Sequence, residues 1–244
     1  MNLYELAQRK QLPKFQQMDS PTLDWIRAHR PDLGGWRYSD ICSTLTAGPE
    51  IPTFDPGWFL EPRVADGLHG TRHALRVALF ARALAAELGL SPTERQTVIA
   101  AALLHDIGRL HDQGDTEHGA RGAKWVNENS DALAPLQNLD AADRATAALA
   151  ILGHEIPYPG VEREPGYAAA GWTIDLLKTA DALDRYRLPK TKWWLDDAFL
   201  KLRPSAALKS FAFDLVMESE RRFLAGTEST TAVLGAYAEL ITSL

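Results

Sequence analysis

The chain has almost no cysteine: Cys42 stands alone among 244 residues. That excludes a disulfide within the chain and any cysteine-cluster zinc site, and such usage fits a reducing compartment. Long hydrophobic runs are missing too. The longest, Val98 to Leu104, has the length of a core-helix segment and falls far short of the roughly 18 apolar residues of a membrane span. The first ten residues lack the apolar core of a signal peptide, so the expected location is cytoplasmic, with no membrane partner. Positive charge is in deficit. A net charge of −6 argues against a nucleic-acid polymer held by bulk electrostatics. No stretch alternates apolar and polar residues for long, so strands should be few. Gly-x4-Gly-Lys-Ser/Thr, His-Glu-x-x-His, Gly-x-Ser-x-Gly and Gly-x-Gly-x-x-Gly are all absent, which removes the phosphate loop, the zincin helix, the nucleophile elbow and the dinucleotide fingerprint.

What is present is helical patterning. Ser20-Pro21 reads as an N-cap with proline at the first helical position, opening a helix over 21–30 that Pro31 stops. From Gly34 to Pro62 the chain is rich in glycine, proline and aromatics (Trp36, Tyr38, Phe54, Trp58, Phe59), as expected of an irregular segment pinned to a core. Residues 71–88 are apolar around most of their circumference and should be buried, with Gly89 ending the helix. Ser91-Pro92-Thr93-Glu94 is a capping box that should start a helix running to Ile107. Asp115 and Asp140 are expected to cap helices over 116–129 and 141–153. Further helices are expected over 167–185, 205–225 and 228–243. The fold class is therefore all-α, a single compact helical bundle. Residues 1–66 form an extension packed on a core of 67–190, and 191–244 complete the same domain.

One stretch concentrates the chemistry. Ala100-Ala-Ala-Leu-Leu-His105-Asp106-Ile-Gly108-Arg109 reads as an apolar helix ending on a His-Asp pair. Both side chains bind divalent metals at neutral pH, and burying them is costly unless something pairs with them. Six of the seven histidines fall between positions 69 and 154 (His69, His73, His105, His111, His118, His154), and several sit near expected helix ends where side chains can converge. Asp181, in Ala180-Asp-Ala-Leu-Asp184, places an acid on an apolar helical face, where a carboxylate needs a cation or several hydrogen bonds.

His73, then His105-Asp106, then Asp181 resembles the H…HD…D signature of the HD-domain superfamily of metal-dependent phosphohydrolases. The flanking strings His69-Gly-Thr-Arg-His73-Ala-Leu-Arg-Val77 and Ala101-Ala-Leu-Leu-His-Asp-Ile-Gly108 resemble it as well, and the likeness covers roughly residues 66–190. It implies a helical bundle around a divalent transition metal (Mn, Fe, Co, Ni or Zn) held by His73, His105, Asp106 and Asp181, with positions left for water and substrate. His118 and His154 lie where two-metal members of the superfamily keep extra histidines. His118 follows the HD pair by only 12 residues, so one ion or two stays open, and His118 and His154 are either ligands or groups serving substrate and proton transfer. Asp106, His118 and His154 are the residues assigned to catalysis. The His-His-Glu…Gly-Tyr-Pro string of the cyclic-di-GMP branch is missing.

A phosphate needs cations. Arg72 and Arg76 flank His73, Arg109 follows the HD pair by three, and Lys178 and Arg185 share the face of Asp181. Each has local acids as competing partners. The implied activity is hydrolysis of a phosphate ester of a nucleotide or another small phosphorylated metabolite. The rival readings are an HD-type di-iron oxygenase and a non-catalytic nucleotide-binding module. The oligomeric state is not legible.

Overall fold

The computed structural model describes residues 1–34, 40–47 and 50–242; Trp36 and Tyr38, expected as anchors, lie outside them. Three short helices come first: α1 (Leu3–Gln8), α2 (Ser20–Ala28) and α3 (Cys42–Thr46). Asn2 and Glu5 close a capping box on α1. The cap of α2 is Asp19 rather than Ser20; its carboxylate accepts from Thr22 N at 2.8 Å and also from Leu3 N at 2.6 Å, tying α1 to α2. A carboxylate that serves two amides displaces the neighbouring hydroxyl as cap.

Next comes α4 (Thr71–Glu87), buried along nearly its whole length, as its apolar circumference requires. Leu75, Leu79 and Phe80 are at most 2% exposed, and each such burial contributes roughly 1.5–3 kcal/mol. Gly89 follows with φ of 66°, the left-handed exit that glycine provides. Pro92–Leu104 forms α5, opened by the expected Ser91–Glu94 capping box. It stops short of Ile107. Past Leu104 the chain tightens into turns, and Ile107 O is taken by Leu60 N at 2.9 Å, so it is not free to continue a helix.

His118–Asn129 is α6. It begins later than expected, because Asp115 does not cap it: the Asp115 carboxylate accepts from Leu110 N (2.7 Å) and Arg121 Nη2 (2.6 Å) instead, while Glu117 turns the corner at φ 69°. Asp140 does cap α7 (Ala141–Gly153). Tyr167–Leu183 forms α8 and passes into a 3-10 turn over Asp184–Arg187. Two last helices, α9 (Ala206–Leu224) and α10 (Ser229–Thr242), end the described chain.

Among the described residues there is no strand. The core runs continuously from Leu3 to Tyr237. Helix α4 packs on α5, α8 and α10; α5 also packs on α7 and α8, and α6 on α7. No helix among the described residues is long and apolar enough to cross a membrane.

Candidate metal centre

Four imidazoles reach one place from four elements. His73 lies in the first turn of α4, His105 just past α5, His118 at the start of α6 and His154 just past α7, and all are buried. Each ring is fixed through Nδ1. His105 donates to Ala102 O at 2.7 Å, His154 to Ile151 O at 2.6 Å and His118 to Asp115 O at 2.6 Å. A ring placed one residue past a helix can fold back onto carbonyls the helix leaves unpaired. His73 Nδ1 donates to Asp184 Oδ2 at 2.7 Å.

With the proton on Nδ1, each Nε2 presents a lone pair. These atoms face one another in two pairs, His73–His105 at 3.0 Å and His118–His154 at 2.9 Å. Facing lone pairs repel unless a positive charge lies beside both. In the first pair burial pushes His105 down to about 3, so at neutral pH that imidazole does not take up a proton to relieve the repulsion. In the second pair burial opposes charge on His118, but the carboxylates of Asp106 and Glu155 beside it outweigh burial and raise His118 to about 9. The carboxylates that draw a proton onto His118 would draw a metal ion as well.

Asp106 lies between the two pairs. Its Oδ2 is 3.4 Å from His73 Nε2 and 3.7 Å from His105 Nε2; its Oδ1 is 3.1 Å from His118 Nε2 and 3.5 Å from His154 Nε2. Buried Oδ1 makes no hydrogen bond among the described residues. Asp181 Oδ1, 3.3 Å from His73 Nε2, completes the first side. Burial works against the Asp181 charge, and His73 and His105 prevail, so its pKa is lowered. Ligands about 2.0–2.2 Å from one ion stand roughly 3.0–3.5 Å apart. The donor set therefore fits metal on both sides of Asp106, as His73–His105–Asp106 and as Asp106–His118–His154. Imidazole with carboxylate suits Mn, Fe, Co, Ni or Zn.

Gly108 makes the convergence physical. A Cβ there would lie 2.2 Å from His118 O and 2.5 Å from Gly122 N. Only glycine lets the turn after Asp106 touch the first turn of α6, and that contact delivers His118.

The sequence-expected cations separate. Arg109 Nε lies 2.8 Å from Asp106 Oδ2 and steadies it. Arg185 is exposed at the mouth of the site. Lys178 lines a neighbouring cavity, but its Nζ donates to His154 O and Ile156 O, both at 2.7 Å; burial pushes it down to about 8 against the pull of Asp181 and Asp175. Arg72 and Arg76 must be corrected. Both are 1% exposed and are held by internal carboxylates, Arg72 by Glu220 (3.0 Å) and Arg76 by Glu220 (2.7 Å) and Asp184 (2.5 Å). On a helix buried all round, a charged side chain needs an internal counter-charge, and α9 provides one.

Three contributors escaped the sequence reading. Glu155 Oε2 lies 2.9 Å from His118 Nδ1, and only its place beside His154 hinted at it. Arg187, buried, donates to Leu68 O at 2.7 Å and approaches His73 Nε2 at 3.4 Å; its spacing of three from Asp184 was the available signal. Asp112 accepts from His69 at 3.0 Å, and nothing in the sequence singled out that pairing.

Fold and site together define a helical protein with a buried histidine–aspartate centre able to hold metal. Residues 70–187 match the family model of the HD domain, and this part of the chain is an HD domain. HD domains are generally metal-dependent phosphohydrolases. No curated protein and no solved structure matches the chain.

Proposed function

We propose that the protein is a metal-dependent phosphohydrolase that binds two divalent transition ions and cleaves a phosphate ester of a nucleotide or another small phosphorylated metabolite. The observation that carries this reading is the Asp106 carboxylate set between two pairs of facing imidazole nitrogens. His73, His105, Asp106 and Asp181 would hold one ion; Asp106, His118 and His154 would hold the other. Bound there, such ions supply Lewis-acid polarisation of a phosphoryl oxygen and a water activated at neutral pH. The chain's own residues do the rest. Arg185 meets the phosphate at the mouth of the cavity. Arg109 keeps Asp106 oriented and ionised. Asp184 aims His73 by accepting from its Nδ1, as the carboxylates behind metal-binding histidines do, and Asp115 O does the same for His118 while Glu155 sets a negative charge beside that ring.

The test is metal analysis of protein purified without chelator, joined to an anaerobic assay of phosphate-ester cleavage. The expected result is about two ions per chain, one in His118→Ala and none in Asp106→Ala, with cleavage that follows metal content and needs no oxygen. Absence of bound metal after reloading with Mn, Fe, Co, Ni and Zn would overturn the site. Oxygen-dependent oxidation of a substrate carbon by two irons, or ligand binding with no turnover, would overturn the activity.

A further inference from the structure

The cavity directly over the centre is small, about 240 Å³. It has larger neighbours. His154 and Asp181 line both it and a cavity of about 660 Å³. Arg109 and His118 line both it and another of about 520 Å³. Glu155 and Arg185 line all three. The centre is thus flanked on two sides by cavities that share its walls, and either flanking lobe alone has the size of a small-molecule site.

The lobes differ in chemistry. The first sets an aromatic and aliphatic wall of Tyr158, Leu200 and Phe199, a phenyl ring 76% exposed, against charged Lys178, Asp181 and Lys201, whose Nζ lies 4.7 Å from the Tyr158 ring centre. The second mixes Trp193 and Leu12 with the amides of Gln16 and Gln113. Segments outside residues 70–187 supply the distinctive walls of both, 198–201 for the first, Leu12, Gln16 and Trp193 for the second. The N-terminal wall is stitched in place. Gln16 N donates to Asp112 Oδ2 at 2.8 Å, Asp112 N to Lys14 O at 2.9 Å, and Gln113 Nε2 to Leu12 O at 2.8 Å. The supply of cations is correspondingly lean. Among the described residues that line the central cavity, Arg109 is paired with Asp106 and Arg187 with Asp184, while Arg185 makes no ion pair.

We infer that the natural substrate is a phosphodiester, with an aromatic group of nucleobase kind in the first lobe, its phosphate over the centre and its second substituent in the other lobe. This inference rests on the phosphohydrolase reading and deepens it. A monoester ends at its phosphate and leaves one lobe empty; a diester fills both and brings a single negative charge. In the reaction a water oxygen forms a bond to phosphorus and the bond from phosphorus to one ester oxygen breaks. That oxygen leaves with one of the water's protons as an alcohol, and the second proton goes to solvent or stays on the monoester.

The experiment uses the full chain, metal-loaded, with bis(4-nitrophenyl) phosphate and 4-nitrophenyl phosphate as substrates. Binding of diphenyl phosphate and phenyl phosphate is measured by calorimetry alongside. The diester should be cleaved with at least tenfold higher kcat/KM, and diphenyl phosphate should bind at least tenfold tighter. Phe199→Ala and Trp193→Ala should each raise KM for the diester and weaken diphenyl phosphate several-fold; the monoester should respond to one of them only. Preference for the monoester, or indifference of the diester to either variant, overturns the inference and leaves the phosphohydrolase reading standing. Failure to cleave either ester, in protein shown to hold its metal, removes the phosphohydrolase reading and the inference with it.

Discussion

Asp184→Asn tests the frame behind the metal centre. Asp184 is fully buried and accepts from His73 Nδ1 at 2.7 Å and from Arg76 Nε at 2.5 Å, with Arg187 Nη1 3.4 Å away. Asparagine has nearly the same shape but no charge, and its amide nitrogen cannot accept. Two buried guanidiniums lose their shared counter-ion, and removing one partner of a buried pair costs about 3–5 kcal/mol. Arg76 keeps Glu220 at 2.7 Å, which places the cost at the lower end, about 3 kcal/mol. A domain stable by about 5–15 kcal/mol stays folded, and with a urea m-value of about 2–3 kcal/mol/M the midpoint falls by roughly 1–1.5 M. Asparagine keeps one acceptor oxygen, for which His73 and Arg76 then compete, and the orienting carboxylate behind a metal-binding histidine is typically worth about 10–100-fold in metal affinity. Urea unfolding followed by circular dichroism reads the first effect, and titration with Co or Zn against a competing chelator reads the second. An unchanged midpoint would refute the account of the buried ionic frame. A lowered midpoint with unchanged metal affinity would refute the claim that Asp184 acts through His73.

Two further outcomes follow from other parts of the structure. Gly108→Ala places a Cβ 2.2 Å from His118 O, so α6 must shift; the expected result is loss of the ion held by His118 and His154 while the ion held by His73 and His105 remains, read as a fall in metal content from about two to about one per chain. Glu220→Gln removes a pH-dependent contribution to stability. Burial opposes the Glu220 charge, Arg72 and Arg76 prevail, and its folded pKa lies below the ordinary value of about 4.3. The contribution is therefore present above that value and lost as pH falls through the lower folded value. Wild type should be the more stable at pH 7 and the two proteins should converge on acidification; a constant gap from pH 7 to pH 3 would contradict this.

The helices around the site follow from local chemistry. The Ser91–Glu94 box and Asp140 start α5 and α7 because a cap is satisfied within three residues, so neighbours in the chain decide it. The unbroken apolar surface of residues 71–88 implies a helix with no exposed face, and α4 has none worth the name. His73, His105, Asp106 and Asp181 could be singled out because buried metal-binding side chains at helix ends have few other uses, and the structure brings these four together.

What the chain could not disclose locally was partnership between distant residues. Spacing put Arg72 and Arg76 beside His73, but whether a guanidinium meets a phosphate or a carboxylate depends on where Glu220 arrives, 148 positions after Arg72. Asp115 has the right side chain for a cap and spends it on Arg121. A separation of 12 residues could not show that His118 and His154 meet; the contact of Gly108 with α6 and the end of α7 set their Nε2 atoms 2.9 Å apart, with Asp106 Oδ1 3.1 Å from His118 Nε2. Helix formation is decided by neighbours within a turn or two, so the sequence by itself determined most of the helices and the candidate metal-binding side chains. Charge pairing and the meeting of four helix ends act through space, so only the tertiary structure decided which cations were spent in the core and how the histidines are arranged about Asp106.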